Sequence, residues 1–186
     1  MSKSTVMEWA ALVAGIIGAL AWLPTVIPLL RGQQIEGKVI SQYANVGKLP
    51  DGSEAAIFLQ KLSVFVTNKD LLLKRLEIYI KFPESQEEKC RSWTWRRLVF
   101  TLPEGSRQVQ RRLAIEARDY LAHQTVFPHD QAVVGYVSFS SSHLRDQEYE
   151  YVRYVFIDYR DRRKELVIRS SDVRENETLF EDDIWK

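Results

Sequence analysis

A chain of 186 residues holds one ordinary domain and a short appendage, and is too short for two full-sized cores. Hydrophobic residues at 45% and charged residues at 27% are the proportions of a chain that folds in water, which excludes wholesale disorder. A net charge of +1 argues against a duplex nucleic-acid binder. A single cysteine, Cys90, excludes an intrachain disulfide and a multi-cysteine zinc site, and favours a reducing compartment.

From Trp9 to Leu30 run 22 residues without an Asp, Glu, Lys, Arg, Asn, Gln or His. As a helix this segment spans roughly 33 Å, close to the roughly 30 Å of a hydrocarbon core, so it crosses a membrane once. A cleaved signal peptide is the rival reading, with Ala19-Leu20-Ala21 as its cleavage pattern. Against it, Glu8 stands where a basic region belongs and the apolar run continues to Leu30. Ala10, Ala14 and Gly18, and beside them Ala11, Gly15 and Ala19, recur every fourth residue. Such a small-residue face lets membrane helices approach closely, so self-association or a membrane partner is expected. Arg31 and Lys38 after the span put the C-terminal domain on the cytoplasmic side.

Residues 32–54 read as a linker and first strand, with 36–43 as the strand and Pro50-Asp51-Gly52 as a turn. In Ile57 to Thr67, Leu62, Val64 and Val66 alternate with Lys61, Ser63 and Phe65, the period of a strand with one buried face. Asn68-Lys69-Asp70 reads as a turn, and Leu76, Ile78, Ile80 and Phe82 then alternate with Glu77, Tyr79 and Lys81. These two segments predict a hairpin. Trp93 to Thr101 predicts another strand, closed by a turn at Pro103-Glu104-Gly105. Residues 107–121 fit a strand pair or one amphipathic helix. Val133–Phe139, Tyr149–Tyr159 and 165–169 read as strands, and Thr178-Leu179-Phe180 as a last short one. The total is seven to nine strands, and the expected fold is mainly β: an N-terminal transmembrane helix (1–31) followed by a β-sandwich or small β-barrel domain (55–186).

No phosphate-binding glycine loop and no nucleophile elbow is present. His129 with Asp130, or His143 with Asp146, is the pairing a hydrolase would use, and His123 with His129 and a carboxylate is the set a metal site would use. Neither has a recognisable spacing, so no catalytic residue, metal or other cofactor is assigned. Lys89 and Arg91 flank Cys90, a setting that favours the thiolate. Arg96, Arg97, Arg111, Arg112, Arg162 and Arg163 cluster guanidinium groups that can grip phosphate, and Trp93 and Trp95 add planes for stacking. They are the candidate ligand site, for a phosphate-bearing small ligand or anionic headgroups. Ion pairing with nearby acids is the structural alternative. The acidic end closing in Ile184-Trp185 is either a docking peptide or a closure of the domain's own core.

The apolar segment Trp9–Leu30, followed by Leu62-Ser63-Val64-Phe65-Val66-Thr67-Asn68 and Leu76-Glu77-Ile78-Tyr79-Ile80, resembles small bacterial single-pass proteins with a β-sandwich, some encoded in anti-phage defence loci. That resemblance implies a membrane-anchored binding or interaction module, without catalysis, serving as a sensor or accessory subunit. The chain is also similar in plan to cyclic-nucleotide-sensing membrane effectors with a β-barrel, which implies a ligand-gated effector that oligomerises. Those effectors carry paired membrane helices, and this chain offers one. A membrane-anchored hydrolase with a histidine base is the third expectation.

Overall fold

The computed structural model describes residues 32–94, 98–104, 107–144 and 149–173, with the backbone alone for 98–104 and 107–113. In chain order the strands are β1 (Ile35–Lys48), β2 (Glu54–Val66), β3 (Leu71–Lys81), β4 (Glu88–Lys89), β5 (Arg91–Trp93), β6 (Leu98–Glu104) and β7 (Arg107–Leu113). Two 3₁₀ turns, Ala117–Asp119 and Leu121–His123, precede β8 (Val126–Phe127), β9 (Ala132–Ser141), β10 (Tyr151–Asp158) and β11 (Arg163–Arg169). The fold is mainly β, as expected. Its described strands number eleven, more than the seven to nine predicted, because β4, β5 and β8 are too short to display a period.

The strands form two antiparallel sheets that do not close into a barrel, plus a separate ribbon. The first sheet has the order β1-β2-β9-β5, the second β11-β10-β3-β4 with β8 on the end of β3, and β6 pairs with β7. The barrel alternative is therefore set aside. Between the two sheets Phe58, Leu62, Val64, Val66, Ile78, Ile80, Phe139, Tyr154 and Phe156 make one core. Phe58 stacks on Phe139 with ring centroids 5.0 Å apart, and Phe127 meets Phe156 edge-on at 5.6 Å. Fully burying side chains of this size contributes roughly 1.5–3 kcal/mol each.

The alternation that predicts β2 is observed: Leu62, Val64 and Val66 are buried while Lys61, Ser63 and Phe65 are half-buried. The predicted hairpin of β2 with β3 is not. β2 pairs with β1 and β9, whereas β3 pairs with β10, β4 and β8. Alternation fixes which face of a strand is buried but not which strand lies beside it. Here the turn at Asn68, with φ at 71°, carries the chain from one sheet to the other. A bulge in β3 opposite Ile157 and Asp158 shifts the buried positions from Leu71 and Leu73 to Ile78 and Ile80.

Other boundaries also move. β1 extends past residue 43 to Lys48 and pairs with β2 over its whole length, apart from a bulge between Val39 and Ser41. The strand predicted from Trp93 is two strands: β5 ends at Trp93 and β6 begins at Leu98, with Pro103 and Glu104 inside β6 and outside the turn. Residues 107–121 are neither one helix nor a strand pair, but β7 followed by the first 3₁₀ turn. The expected strand at Thr178-Leu179-Phe180 and the end at Trp185 lie outside the described residues, as does 1–31. Among the described residues no helix is long and apolar enough to cross a membrane.

A polar tie crosses the core. Tyr154 donates to the Gln60 side-chain oxygen, Gln60 donates to that of Gln42 at 2.5 Å, and the Tyr149 hydroxyl donates to the same Gln42 oxygen at 2.7 Å. Where β1 passes β11, a Cβ on Gly37 would lie 2.7 Å from the Ser63 carbonyl oxygen and 2.8 Å from a Leu166 methyl, so only glycine fits there.

Candidate functional site

The first described residues are bound tightly to the domain. The Gly32 carbonyl accepts the Asn68 amide at 3.2 Å, Gln33 donates to the Lys69 carbonyl at 2.9 Å, and the Gln34 N–H donates to the Thr67 hydroxyl at 3.3 Å. Asp70 closes the same turn from the other side: its Oδ1 accepts the His129 N–H at 2.8 Å and His129 Nδ1 at 2.5 Å. Just beyond, the Asp130 N–H donates to the Val66 carbonyl. One pole of the sandwich thus gathers the segment 32–34, the β2–β3 turn and the loop after β8. His129 is paired with Asp70, not with Asp130 as sequence proximity suggested. The hydrogen bond to Asp70 raises the His129 pKa, and the same bond lowers that of Asp70.

The sequence-predicted arginines separate. Arg162 is tied to the buried Asp158, with Nε 2.7 Å from Oδ2, and the backbone N–H groups of Arg160 and Arg162 donate to Asp158 Oδ1. Burial raises the Asp158 pKa, but those donors outweigh it and hold the carboxyl below its ordinary value. Arg162 is thereby part of the β10–β11 turn. Arg163 is exposed on β11 opposite Ile157. Arg111 and Arg112 fall on β7, opposite Phe100 and Val99. Arg96, Arg97 and Trp95, and the helix face of Ala11, Gly15, Ala19, Ala14 and Gly18, lie outside the described residues.

Trp93 is half-buried at the edge of the first sheet. Its indole N–H donates to the Ser140 hydroxyl at 2.8 Å, and the Arg91 guanidinium lies 4.0 Å from the ring centroid. Arg91 in turn reaches Asp51 at 3.4 Å. Arg163 is opposite Ile157 and so level with Arg75 on β3, whereas the Cys90 N–H beside β5 bonds the Ile78 carbonyl. Arg163 stands on β11, at the edge of the second sheet that β1 passes, whereas Trp93 stands on β5, at the opposite edge of the first sheet. Trp93 and Arg163 therefore do not share one site.

The strongest charge cluster was not legible in the sequence. Arg153 on β10 is bound by both oxygens of Glu87, reaches Glu165 at 2.8 Å, and lies 4.5 Å over the Tyr79 ring. Beside it Glu77 accepts Lys89 at 2.9 Å, the Tyr79 hydroxyl at 2.9 Å and Arg75 at 3.2 Å. These long side chains lie over Val155 and Ile157, which are buried although they face away from the core. The cluster's partners come from β3, β4, β10, β11 and the loop before β4, and only the sheet order brings them together.

A cleft of about 440 Å³ opens between the loop after β3 and the end of β9, lined by Phe82, Pro83, Glu84, Ser85, His143 and Leu144. Nearby, Glu88 accepts the Ser141 hydroxyl at 2.8 Å and the Ser142 N–H and hydroxyl at 3.0 and 2.9 Å. Burial raises the Glu88 pKa, but those three donors hold it below the ordinary range. The His143 ring meets Phe82 edge-on at 4.8 Å. The serine hydroxyls are given to a carboxylate, and the histidine beside them packs on an aromatic ring. His123 Nε2 lies 3.2 Å from the Thr94 hydroxyl.

Cys90 corrects a sequence inference. It is buried in the core, and desolvation pushes its pKa far up, so the neutral thiol is the stable form. Comparison of the chain with family models, with curated proteins and with solved structures gives no match.

Proposed function

We propose that the protein is a membrane-anchored, non-enzymatic binding module, with residues 9–30 as a single-pass helix and the β domain presented to partners at the bilayer surface. The observation that carries this reading is the clamp on residues 32–34. The apolar run ends at Leu30, and two residues later the backbone is already hydrogen-bonded to the β2–β3 turn. Only Arg31 separates the apolar run from the clamped backbone, which supports a domain that stands at the membrane on that pole. Holding a binding domain at a surface raises its effective concentration toward other membrane-held partners, and a weak interface then suffices. The unpaired Cys90 suits a domain on the reducing, cytoplasmic side. A sensor or accessory subunit of a bacterial defence system is the form of this reading that the chain's layout suggests.

Membranes from cells expressing the full chain, washed at alkaline pH, test the anchor. The wild type is expected to stay in the pellet and an Ile17→Lys, Leu20→Lys variant to be released. A wild type that washes off overturns the reading. Mass measurement of the full chain in nanodiscs tests self-association: a defined oligomer supports pairing through the face of Ala11, Gly15 and Ala19, and a monomer directs the search to a different membrane protein.

A further inference from the structure

We infer that the β6–β7 ribbon is a basic, amphipathic arm that docks on an anionic bilayer surface. The inference rests on the membrane anchor proposed above. Among the described strands the ribbon pairs with no other, and an isolated two-stranded ribbon is marginal in water without a surface to cover one face. The register places Leu98 opposite Leu113, Phe100 opposite Arg111 and Leu102 opposite Val109 on one face, and Val99, Thr101, Pro103, Gln108, Gln110 and Arg112 on the other. The first face carries five apolar positions, with Arg111 among them and Glu104 and Arg107 at its tip end. Glu104 is opposite Arg107 at the tip, which leaves Arg111 and Arg112 without an acidic residue opposite. Apolar burial together with cationic attraction is the combination that holds a segment in the headgroup region of an anionic leaflet.

The strand that leads into the ribbon heads toward the same pole. β5 runs antiparallel to β9, from the level of Ser140 to that of Ser138, and so heads toward Ala132, which lies opposite Phe65 beside the clamp on residues 32–34. The chain returns from β7 to Tyr120, which bridges Tyr136 at the level of Lys61. The chain thus leaves the first sheet at Trp93 and rejoins it at Tyr120, both mid-sheet. From Leu59, level with Trp93, to Val66 at the pole is about 23 Å of strand, and each seven-residue strand of the ribbon spans about the same. The ribbon is long enough to reach the plane where the proposed anchor enters the membrane.

The test is amide hydrogen exchange of the full chain in nanodiscs of phosphatidylcholine alone and of phosphatidylcholine with phosphatidylglycerol, with an Arg111→Gln, Arg112→Gln variant alongside. Exchange across 98–104 and 107–113 is expected to slow by roughly tenfold or more in the anionic discs, and the variant to lose that slowing. Equal exchange in both lipids, in protein that stays in the discs, overturns this inference alone and assigns the ribbon to the domain's own surface. Slowing in zwitterionic discs on addition of inorganic phosphate also overturns it, by assigning the arginines to a soluble anion. Protein that leaves the discs overturns the anchor and this inference together.

Discussion

Tyr154 of the second sheet donates its hydroxyl proton to the side-chain oxygen of Gln60 in the first, and both residues are almost completely buried. Gln60 in turn donates to Gln42, so β10, β2 and β1 are tied through one polar chain inside an otherwise apolar core. A buried acceptor left without its donor carries its full desolvation cost. Tyr154→Phe keeps the ring and removes the donor, and is expected to lower unfolding stability by about 1–3 kcal/mol in urea titrations with the slope unchanged. A variant as stable as the wild type would mean that the tie contributes nothing to stability.

Arg153 is the second place where one side chain serves several partners. Its hydrogen bonds are the first reason that the Glu87 carboxyl titrates below its ordinary value. A depressed carboxylate pKa contributes stability that is present above the unfolded value and lost as pH falls through the folded one. Arg153→Met is therefore expected to cost about 2 kcal/mol near neutral pH, less at high salt, and to flatten the loss of stability below about pH 4.3. Thermal melts between pH 3 and 7 check this. An acid limb unchanged by the substitution would assign the pH dependence to other carboxylates.

These residues separate what the sequence reveals from what it hides. The buried face of β2 is legible because Leu62, Val64 and Val66 obey a local period. The pairing of β2 with β9 is not legible, because the β9 residues lie 67 to 85 positions downstream and no local pattern marks them. The Arg153 cluster is hidden for the same reason: Glu87 and Arg153 are 66 residues apart. The candidate arginines are neighbours in sequence, and adjacency misleads on a strand, where successive side chains point to opposite faces. Arg111 and Arg112, consecutive on β7, fall on opposite faces, and Arg162 is held within its turn by an aspartate four residues before it.

The same geometry explains Cys90. Lys89 and Arg91 flank it in sequence, yet both are exposed while the thiol points into the core. Burial disfavours the thiolate, the form that attacks disulfide reagents. The native protein is expected to react with Ellman's reagent orders of magnitude more slowly than the urea-unfolded chain, and only by way of opening. Rapid labelling of the native protein at neutral pH would place the thiol at the surface and contradict this packing.

The pair of His129 and Asp70 makes the proposed membrane-facing pole responsive to pH, and its sign follows from the two groups. The His129 pKa is raised by its hydrogen bond to Asp70, so its contribution is fully present below the unfolded value near 6.5 and is lost as pH rises through the folded value. The Asp70 pKa is lowered by the same bond, so its contribution is present above the unfolded value near 3.9 and is lost as pH falls through the folded one. The pair stabilises the pole most between roughly pH 4 and 6.5. Both side chains are about half exposed, so the effect is modest and salt-sensitive. Asp70 also accepts the His129 backbone N–H, which persists when the ring changes. His129→Gln is therefore expected to remove the loss of stability between pH 6 and 8 while leaving the turn in place, read as amide exchange at Thr67 to Asp70 across that range. A wild type whose exchange at those amides is flat from pH 5 to 8, after correction for the intrinsic rate, would show that the pair does not govern the pole.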